Sequence, residues 1–522
     1  MSLLKSAAAV GGLTLVSRAL GFVRDILTAS VVGTGPVAQA FVIAFRFPNL
    51  FRTLFAEGAF NSAFVPMFAR RLEGGGEQAA RNFAEDVYAV MFVWLLGFTA
   101  AAQIAMPLLM YVIAPGFAGD PEKFDLSVAL TRIAFPYLLF MSLNALQGGI
   151  LNSLRRFSAA ASAPILLNVV MILTLLFVEA KGWGESQITG YALAWGICAA
   201  GVAQFLLLTI ACRRAGMSLR PRFPKLTPDV KRLVKLGVPG IIAGGITQVN
   251  ILIATMIATG IDRAVSYLYY ADRVYQLPLG VIGVAIGVVL LPEMARKLRA
   301  GDAAGALANQ NRALEFALFL TLPATVALIA LPLAIVNTCF EHGVFTRSDT
   351  TATASALAAF AIGLPAFTMN KVFSPGFFAR EDTRTPMRFA IASVVVNVLG
   401  SLVLSRFLGH VGIALATALA AWVNTSLLAL TLARQGNYSA DEKLRSRLPR
   451  IIVASLGMGA ILVAALWTVR PVFEGGYALG LRVAILIGLV TLGMLGYFLL
   501  AHLLGAMKFG ELRAMMRQRG FT

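Results

Sequence analysis

Apolar stretches of about 20 residues or more recur along almost the whole chain, and few folds can accommodate that pattern. A segment of this kind surrounded by lipid must satisfy its backbone N–H and C=O groups internally, so each stretch is expected to be a helix. The stretches fall near residues 7–32, 37–69, 84–113, 126–153, 158–180, 188–211, 233–259, 264–295, 312–339, 351–379, 386–407, 411–433, 450–469 and 479–506, fourteen in all. The second, eighth and tenth are long enough to be kinked or partly re-entrant. Composition agrees: 58% of the 522 residues are hydrophobic and 13% charged, with a mean hydropathy of +0.79, outside the range of soluble domains. The expected class is an all-α polytopic membrane protein with 14 transmembrane helices. The opening Met1-Ser-Leu-Leu-Lys5 leads into an apolar run too long for a signal peptide and without a small-residue cleavage site, so it reads as a retained first helix.

Basic residues fix the expected orientation, because cytoplasmic loops carry excess Lys and Arg. With the N-terminus inside, 30 of the 44 basic residues fall in cytoplasmic segments, 8 in outside loops and 6 within spans. A missed or invented helix would invert every later loop and spoil that alternation. Both termini are therefore expected to be cytoplasmic. The net charge of +19 then lies mostly beside the anionic inner leaflet, and no nucleic-acid partner is needed to explain it.

The two halves echo each other. The second span ends Pro66-Met-Phe-Ala-Arg70-Arg71 and the eighth ends Pro292-Glu-Met-Ala-Arg296-Lys297, six helices later; Pro164/Asn168 and Pro386/Asn397 form a weaker echo in the fifth and eleventh spans. Six helices per repeat preserve orientation, so the expected organisation is two pseudo-symmetric lobes flanking a cavity. The corresponding bounds are 1–212 for the first lobe, 213–235 for a basic cytoplasmic linker and 236–434 for the second lobe. A loop at 435–449 and two extra helices with a tail at 450–522 complete the chain.

Six cations lie inside these spans: Arg18, Arg24, Arg46, Arg52, Arg273 and Lys371. A charge near the bilayer centre costs about 2.5–3.5 kcal/mol on insertion scales, so the four arginines of the first two spans alone cost on the order of 10 kcal/mol. Asp25, Glu57 and Asp272 are the acids available to offset them, which leaves a positive excess suited to a phosphate or diphosphate, since Arg offers paired hydrogen bonds to such groups. Arg18, Arg24, Arg52 and Arg273 are the leading ligand contacts. Arg24 with Asp25, and Arg273 with Asp272, could instead form internal ion pairs, and Arg46 and Lys371 could extend to an interface. An ideal helix separates Arg18 from Arg24, and Arg46 from Arg52, by about 120°; Gly21 and Pro48 would permit the bends that convergence needs. The tyrosines between Tyr267 and Tyr275 read as packing residues, and the buried asparagines as interhelical hydrogen-bonders.

Enzyme signatures are missing from the sequence: it contains no HExxH, no Walker A loop and no GxSxG elbow. Cys198, Cys212 and Cys339 are odd in number and widely spaced, so neither a disulfide framework nor a zinc site is expected. No catalytic residue, cofactor or metal is assigned.

Several blocks then carry a resemblance. Ser17-Arg18-x-x-Gly21-Phe22-x-Arg24-Asp25, Phe45-x-x-Pro48-Asn49-Leu50-x-Arg52-x-x-Phe55-Ala56-Glu57-Gly58-Ala59-Phe60, Ala114-Pro115-Gly116-Phe117, Tyr269-Tyr270-Ala271-Asp272-Arg273 and Pro375-Gly376-Phe377 resemble the MurJ (MviN) family of lipid II flippases, within the MATE-like exporters. The resemblance runs essentially the whole chain. It implies a bacterial inner-membrane protein that moves undecaprenyl-diphosphate-linked MurNAc-pentapeptide-GlcNAc from the cytoplasmic to the periplasmic leaflet for peptidoglycan assembly; alternating access, with the diphosphate engaging the arginines from the inward-open state, is the expected mechanism. It implies two six-helix lobes around a cationic cavity, a lipid-tail groove in the last two helices, and membrane lipids and cell-wall synthesis proteins as further partners. The residues it places at the cavity are Arg18, Arg24, Arg52 and Arg273, with Ser17, Asn49 and Glu57 nearby. Two positions depart from some relatives: Gln39 stands for an Asp and Gln276 for a Glu, and both join the second rank of candidates with Arg46 and Lys371. Spans 233–259, 386–407 and 411–433 hold no carboxylate, so the sodium site described in some relatives is not expected.

Rival readings are a MATE-type drug or cation antiporter, a polysaccharide-precursor flippase and a non-transporting cell-wall scaffold. The first would want acids in the cavity, the second should lack the Phe45–Phe60 block, and the third leaves six intramembrane bases unexplained.

Overall fold

A computed structural model describes residues 3–55 and 59–506, so the candidate Glu57 lies outside the described residues. Helix dominates throughout, as the recurrence of apolar runs requires. Among the described residues ten helices are long and apolar enough to cross a bilayer. The chain forms two compact units, residues 1–266 with 342–345, and residues 267–341 with 346–522.

The first unit contains α1 (Leu3–Val32), α2 (Pro36–Phe55), α3 (Ala59–Ile113), α4 (Pro121–Ala134), α5 (Tyr137–Ser153), α6 (Phe157–Ala180), α7 (Gln187–Arg214) and α8 (Pro228–Thr259). The second and third expected spans are not joined by a loop. The second span is α2 followed by the start of α3, and α3 continues into the third, interrupted where Gly76 adopts φ 74°, ψ −176°. That left-handed backbone favours glycine, and Arg70, Arg71, Glu73, Glu77 and Arg81 around it give the helix a polar stretch where it leaves the apolar layer. The fourth expected span is two helices, α4 and α5, separated at Phe135-Pro136, where proline supplies no backbone donor.

Two buried clusters hold this unit together. Val32, Ala40, Phe41, Leu130, Tyr137, Leu175 and Ile197 pack α1, α2 and α4 to α7. Phe64, Phe68, Phe83, Leu146, Ile150, Leu208, Val230 and Leu233 pack α3, α5, α7 and α8. Helix α8 is thus a member of the first compact unit, whereas the sequence bounds open the second lobe at residue 236. The reason is local: Val230 and Leu233 bury their side chains in the cluster with Phe64, Phe68 and Phe83 of α3, at the very start of the apolar span. His342–Phe345 also belongs here, with the Val344 amide donating to the Ser30 carbonyl at 3.0 Å.

The second unit begins three residues into α9 (Ala264–Arg299) and continues with α10 (Ala303–Ala330), α11 (Pro332–Phe340), α12 (Arg347–Ile362), α13 (Leu364–Phe378), α14 (Arg384–Leu408), α15 (His410–Arg434), α16 (Glu442–Glu474) and α17 (Leu479–Leu503). The eighth expected span is one uninterrupted helix, α9. The ninth and tenth each divide in two, at Leu331-Pro332 and at Gly363. Lipid tails are as apolar as the side chains themselves, so close van der Waals contact between small residues is the main packing force here. A β-carbon on Gly400 of α14 would come within 3.1 Å of Ala416 on α15. The last two helices seat on α10 through Phe319, Met458, Leu462 and Tyr497, and the Tyr497 hydroxyl donates to the Phe319 carbonyl at 2.7 Å. Outward apolar side chains such as Ile104, Phe407 and Leu503 form the kind of surface that only lipid or another apolar partner covers.

Candidate functional site

Arg24 is the most constrained of the expected cations. Its guanidinium is buried, with 8% of the residue exposed, beside Asp25 at 3% and Asn168 at 5%. Nη2 and Nε donate to Asp25 Oδ1 at 2.8 and 3.2 Å, and Nη1 donates to Asn168 Oδ1 at 3.1 Å. The guanidinium carbon lies 5.5 Å from the Phe45 ring centroid, within cation–π range. Asn168 then donates through Nδ2 to the Ser17 carbonyl at 2.9 Å and approaches Ser17 Oγ at 3.5 Å. Ser17, Gly21 and Arg24 share one face of α1 by helical spacing, and Asn168 on α6 reads that face. A β-carbon on Gly21 would meet the Asn168 amide at 3.6 Å, an ordinary contact, and α1 runs through this glycine without a break.

Arg18 does not share these partners. It is exposed, and with Ser17 it lines a cavity of about 540 Å³ whose other walls include Val10, Asn152, Phe157 and Pro164. Sequence spacing alone put Arg18 and Arg24 about 120° apart, and the structure keeps them on different surroundings.

In α2, Phe45, Asn49 and Arg52 follow one another at helical spacing. Asn49 donates to the Phe45 carbonyl at 3.1 Å and accepts from Arg52 Nε at 2.9 Å. Arg46 faces elsewhere and donates to Thr255 Oγ1 of α8 at 3.1 Å, a contact that ties α2 to α8. Pro48 sits inside α2 without bringing Arg46 and Arg52 onto the same partners.

Gln39 is completely buried and accepts from Lys123 Nζ at 3.1 Å, while the same ammonium lies 4.0 Å from the Phe117 ring centroid. Lys123 lies between the third and fourth expected spans, among the outside-loop cations that carry no role in the charge pattern. The signal that could have found it is Asp120-Pro121: Asp120 caps α4 by accepting from the Lys123 amide at 3.1 Å, so Lys123 belongs to a helix whose first turn packs inward.

In the second unit, Arg273 stacks its guanidinium 4.7 Å from the Tyr269 ring centroid, and Gln276 donates to the Asp272 carboxylate. Tyr269, Tyr270 and Tyr275 are buried, and the Tyr267 hydroxyl donates to Asp349 Oδ1 at 3.0 Å; these tyrosines pack and brace α9. Lys371 is exposed on α13. Asn397, the weaker sequence echo of Asn168, is also buried and accepts from Thr417 of α15 at 3.2 Å. Among the described residues no three His, Cys, Asp or Glu side chains come together as a metal site.

The arrangement therefore offers basic groups held in apolar helices by amides, a hydroxyl, aromatic faces and one carboxylate. The fold is shared with two solved structures. An inward-facing multidrug-resistance MATE-family transporter of the MOP superfamily superposes with a TM-score of 0.69 at 16% identity, over 82% of this chain and 98% of that one. A lipid II flippase MurJ in an inward closed conformation gives 0.78 at 24% identity, over 95% and 98%. The class is thus a polytopic helical bundle with a MATE-like fold.

Sequence relationships narrow that class. The family profile described as "Lipid II flippase MurJ" matches residues 28–488. Proteins described as probable lipid II flippase MurJ are 47% identical in Rhizobium tropici, over 99% of this chain and 97% of the relative, and 38% identical in Rickettsia prowazekii, over 98% and 99%. The chain belongs to the lipid II flippase MurJ family, a family of membrane transporters.

Proposed function

We propose that this chain moves lipid II, the undecaprenyl-diphosphate-linked MurNAc-pentapeptide-GlcNAc precursor, from the cytoplasmic to the periplasmic leaflet of a bacterial inner membrane by alternating access. Full-length kinship with lipid II flippases supports the substrate. The observation that carries the residue assignment is Arg24, a guanidinium kept within an apolar helix by one acid and one amide.

In this reading Arg18, Arg24, Arg52 and Arg273 are the contacts for the diphosphate. Ser17, Asn49, Asp25 and Asp272 position them, Arg46 and Gln39 brace the first unit, and Lys371 and Gln276 remain second-rank contacts. The chain crosses the membrane fourteen times, as six, six and two helices, with both termini cytoplasmic and the last two helices serving the lipid tail. Cell-wall synthesis proteins are its expected neighbours. A ligand drives such a cycle only through different affinities for its states, so cations that meet the diphosphate more closely in one state supply the bias.

The experiment is leaflet-resolved translocation of lipid II in proteoliposomes with Arg24→Ala and Arg273→Ala. Both variants should insert into membranes at normal levels and lose translocation. Transport at the unmodified rate by either one removes that residue from the assignment.

A further inference from the structure

A second cationic pocket lies away from these residues, in the first unit where the break in α3 meets the start of α8. It encloses about 300 Å³ and is lined by Met67, Arg70, Arg71, Gly74, Gly75, Asp229 and Arg232. Three arginines against one aspartate leave a local excess of positive charge. Arg71 pairs with Asp229, and Arg70 Nε donates to the Pro66 carbonyl at 3.3 Å, which holds the stem of Arg70 along α3 where it lines the pocket. Gly74 adds no side chain, and a β-carbon there would meet nothing within 4 Å, so the space beside the arginines is open. Pro228 and Asp229 begin α8, with Thr227 capping the Val230 amide, and the positive end of that helix points into the same region.

We propose that this pocket is an anion site separate from the lipid II contacts, and that it takes a single phosphate group, either inorganic phosphate or the phosphate of a lipid headgroup. Its volume is at the lower end of ligand pockets, which run from about 300 to 1,000 Å³. Neither inorganic phosphate nor the singly charged phosphodiester of a lipid headgroup carries more negative charge at neutral pH than the pocket's positive surplus, and guanidinium groups bind such oxygens in pairs. With Arg70 contributed by α3 and Arg232 by α8, a bound phosphate would add a second link between these helices beside the Arg71–Asp229 pair.

The test uses the full-length protein in phosphatidylcholine nanodiscs, titrated calorimetrically with inorganic phosphate at constant ionic strength. Saturable binding is expected. Arg70→Gln combined with Arg232→Gln should weaken it about tenfold or more, from the loss of charge-assisted hydrogen bonds. Asp229→Asn, which removes the competing carboxylate, should strengthen it, so the proposal does not depend on one variant folding. The binding that the Arg70/Arg232 variant loses should persist in Arg24→Ala, which separates this site from the lipid II reading. In nanodiscs containing phosphatidylglycerol, a fall in apparent phosphate affinity identifies the lipid headgroup as occupant, and unchanged affinity identifies free phosphate. The proposal is overturned by phosphate binding that is equal in the unmodified and Arg70/Arg232 variants, by binding that Arg24→Ala abolishes, or by no saturable binding together with equal thermal midpoints in the two lipids.

Discussion

Replacing Asn168 by aspartate tests the central electrostatic idea with almost no change of shape. Asn168 Oδ1 accepts from Arg24 Nη1 at 3.1 Å while Asp25 accepts from Nη2 at 2.8 Å. An aspartate at 168 can keep the first contact, but it places a second carboxylate on one guanidinium and turns a neutral trio into a net negative one. Two unit charges about 4 Å apart at an effective dielectric of about 20 interact by on the order of 4 kcal/mol. An incoming diphosphate near Arg24 would meet a repulsion of that order, or several hundred-fold in affinity. The amide donation to the Ser17 carbonyl at 2.9 Å is lost too, at a cost of about 1 kcal/mol. Asn168→Asp should therefore lower the thermal midpoint, because the new buried carboxylate also faces Asp25, and should translocate lipid II at least a hundred-fold more slowly per inserted molecule in proteoliposomes. Asn168→Ala, which loosens Arg24 without quenching it, should be impaired less. Unmodified rates with Asn168→Asp would refute the view that Arg24 awaits an anion and leave the trio as packing.

Other expectations are more local. Gly116→Ala should lower the thermal midpoint, because a β-carbon there would fall 2.3 Å from the backbone of Thr259 and Gly260, and overpacking of this kind costs about 1–3 kcal/mol; a midpoint equal to that of the unmodified protein would contradict the close approach. In the loop before α14, the Thr385 backbone amide donates to Asp382 at 3.0 Å, and this bond, with the Thr385 side chain, holds the Asp382 carboxyl below its ordinary range. A depressed folded pKa means the contribution is full above the unfolded value of about 3.9 and is lost as pH falls through the lower folded value. Amide exchange at Thr385 should therefore become faster, relative to its intrinsic rate, as pH is lowered below about 4. In Asp382→Asn that pH step should be missing, and a step that persists would assign it to another group.

Much of the architecture was legible from local pattern. Hydropathy over about 20 residues marks a helix wherever it occurs, and nearly every expected span falls on a helix or on a helix pair broken at a proline or glycine. The differences arise where a single backbone conformation outweighs the pattern. At Gly76 one left-handed residue kinks α3 between the end of the second span and the third, and at Phe135-Pro136 one proline divides a single apolar run. Neither event changes mean hydropathy.

The sequence by itself determined that this chain is helical and apolar, that cations sit inside its spans, and, through blocks such as Phe45–Phe60, which family it joins. Those properties are carried by single segments and survive without knowledge of neighbours. Only the tertiary structure decided what each cation touches: Arg24 is held by an amide 144 residues away, Arg46 by a threonine 209 residues away, and Lys123 by Gln39 across two helices. Helical spacing gives the direction of a side chain around its own axis, but the identity of its partner depends on which helix packs there, and that is set by contacts distributed over the whole unit.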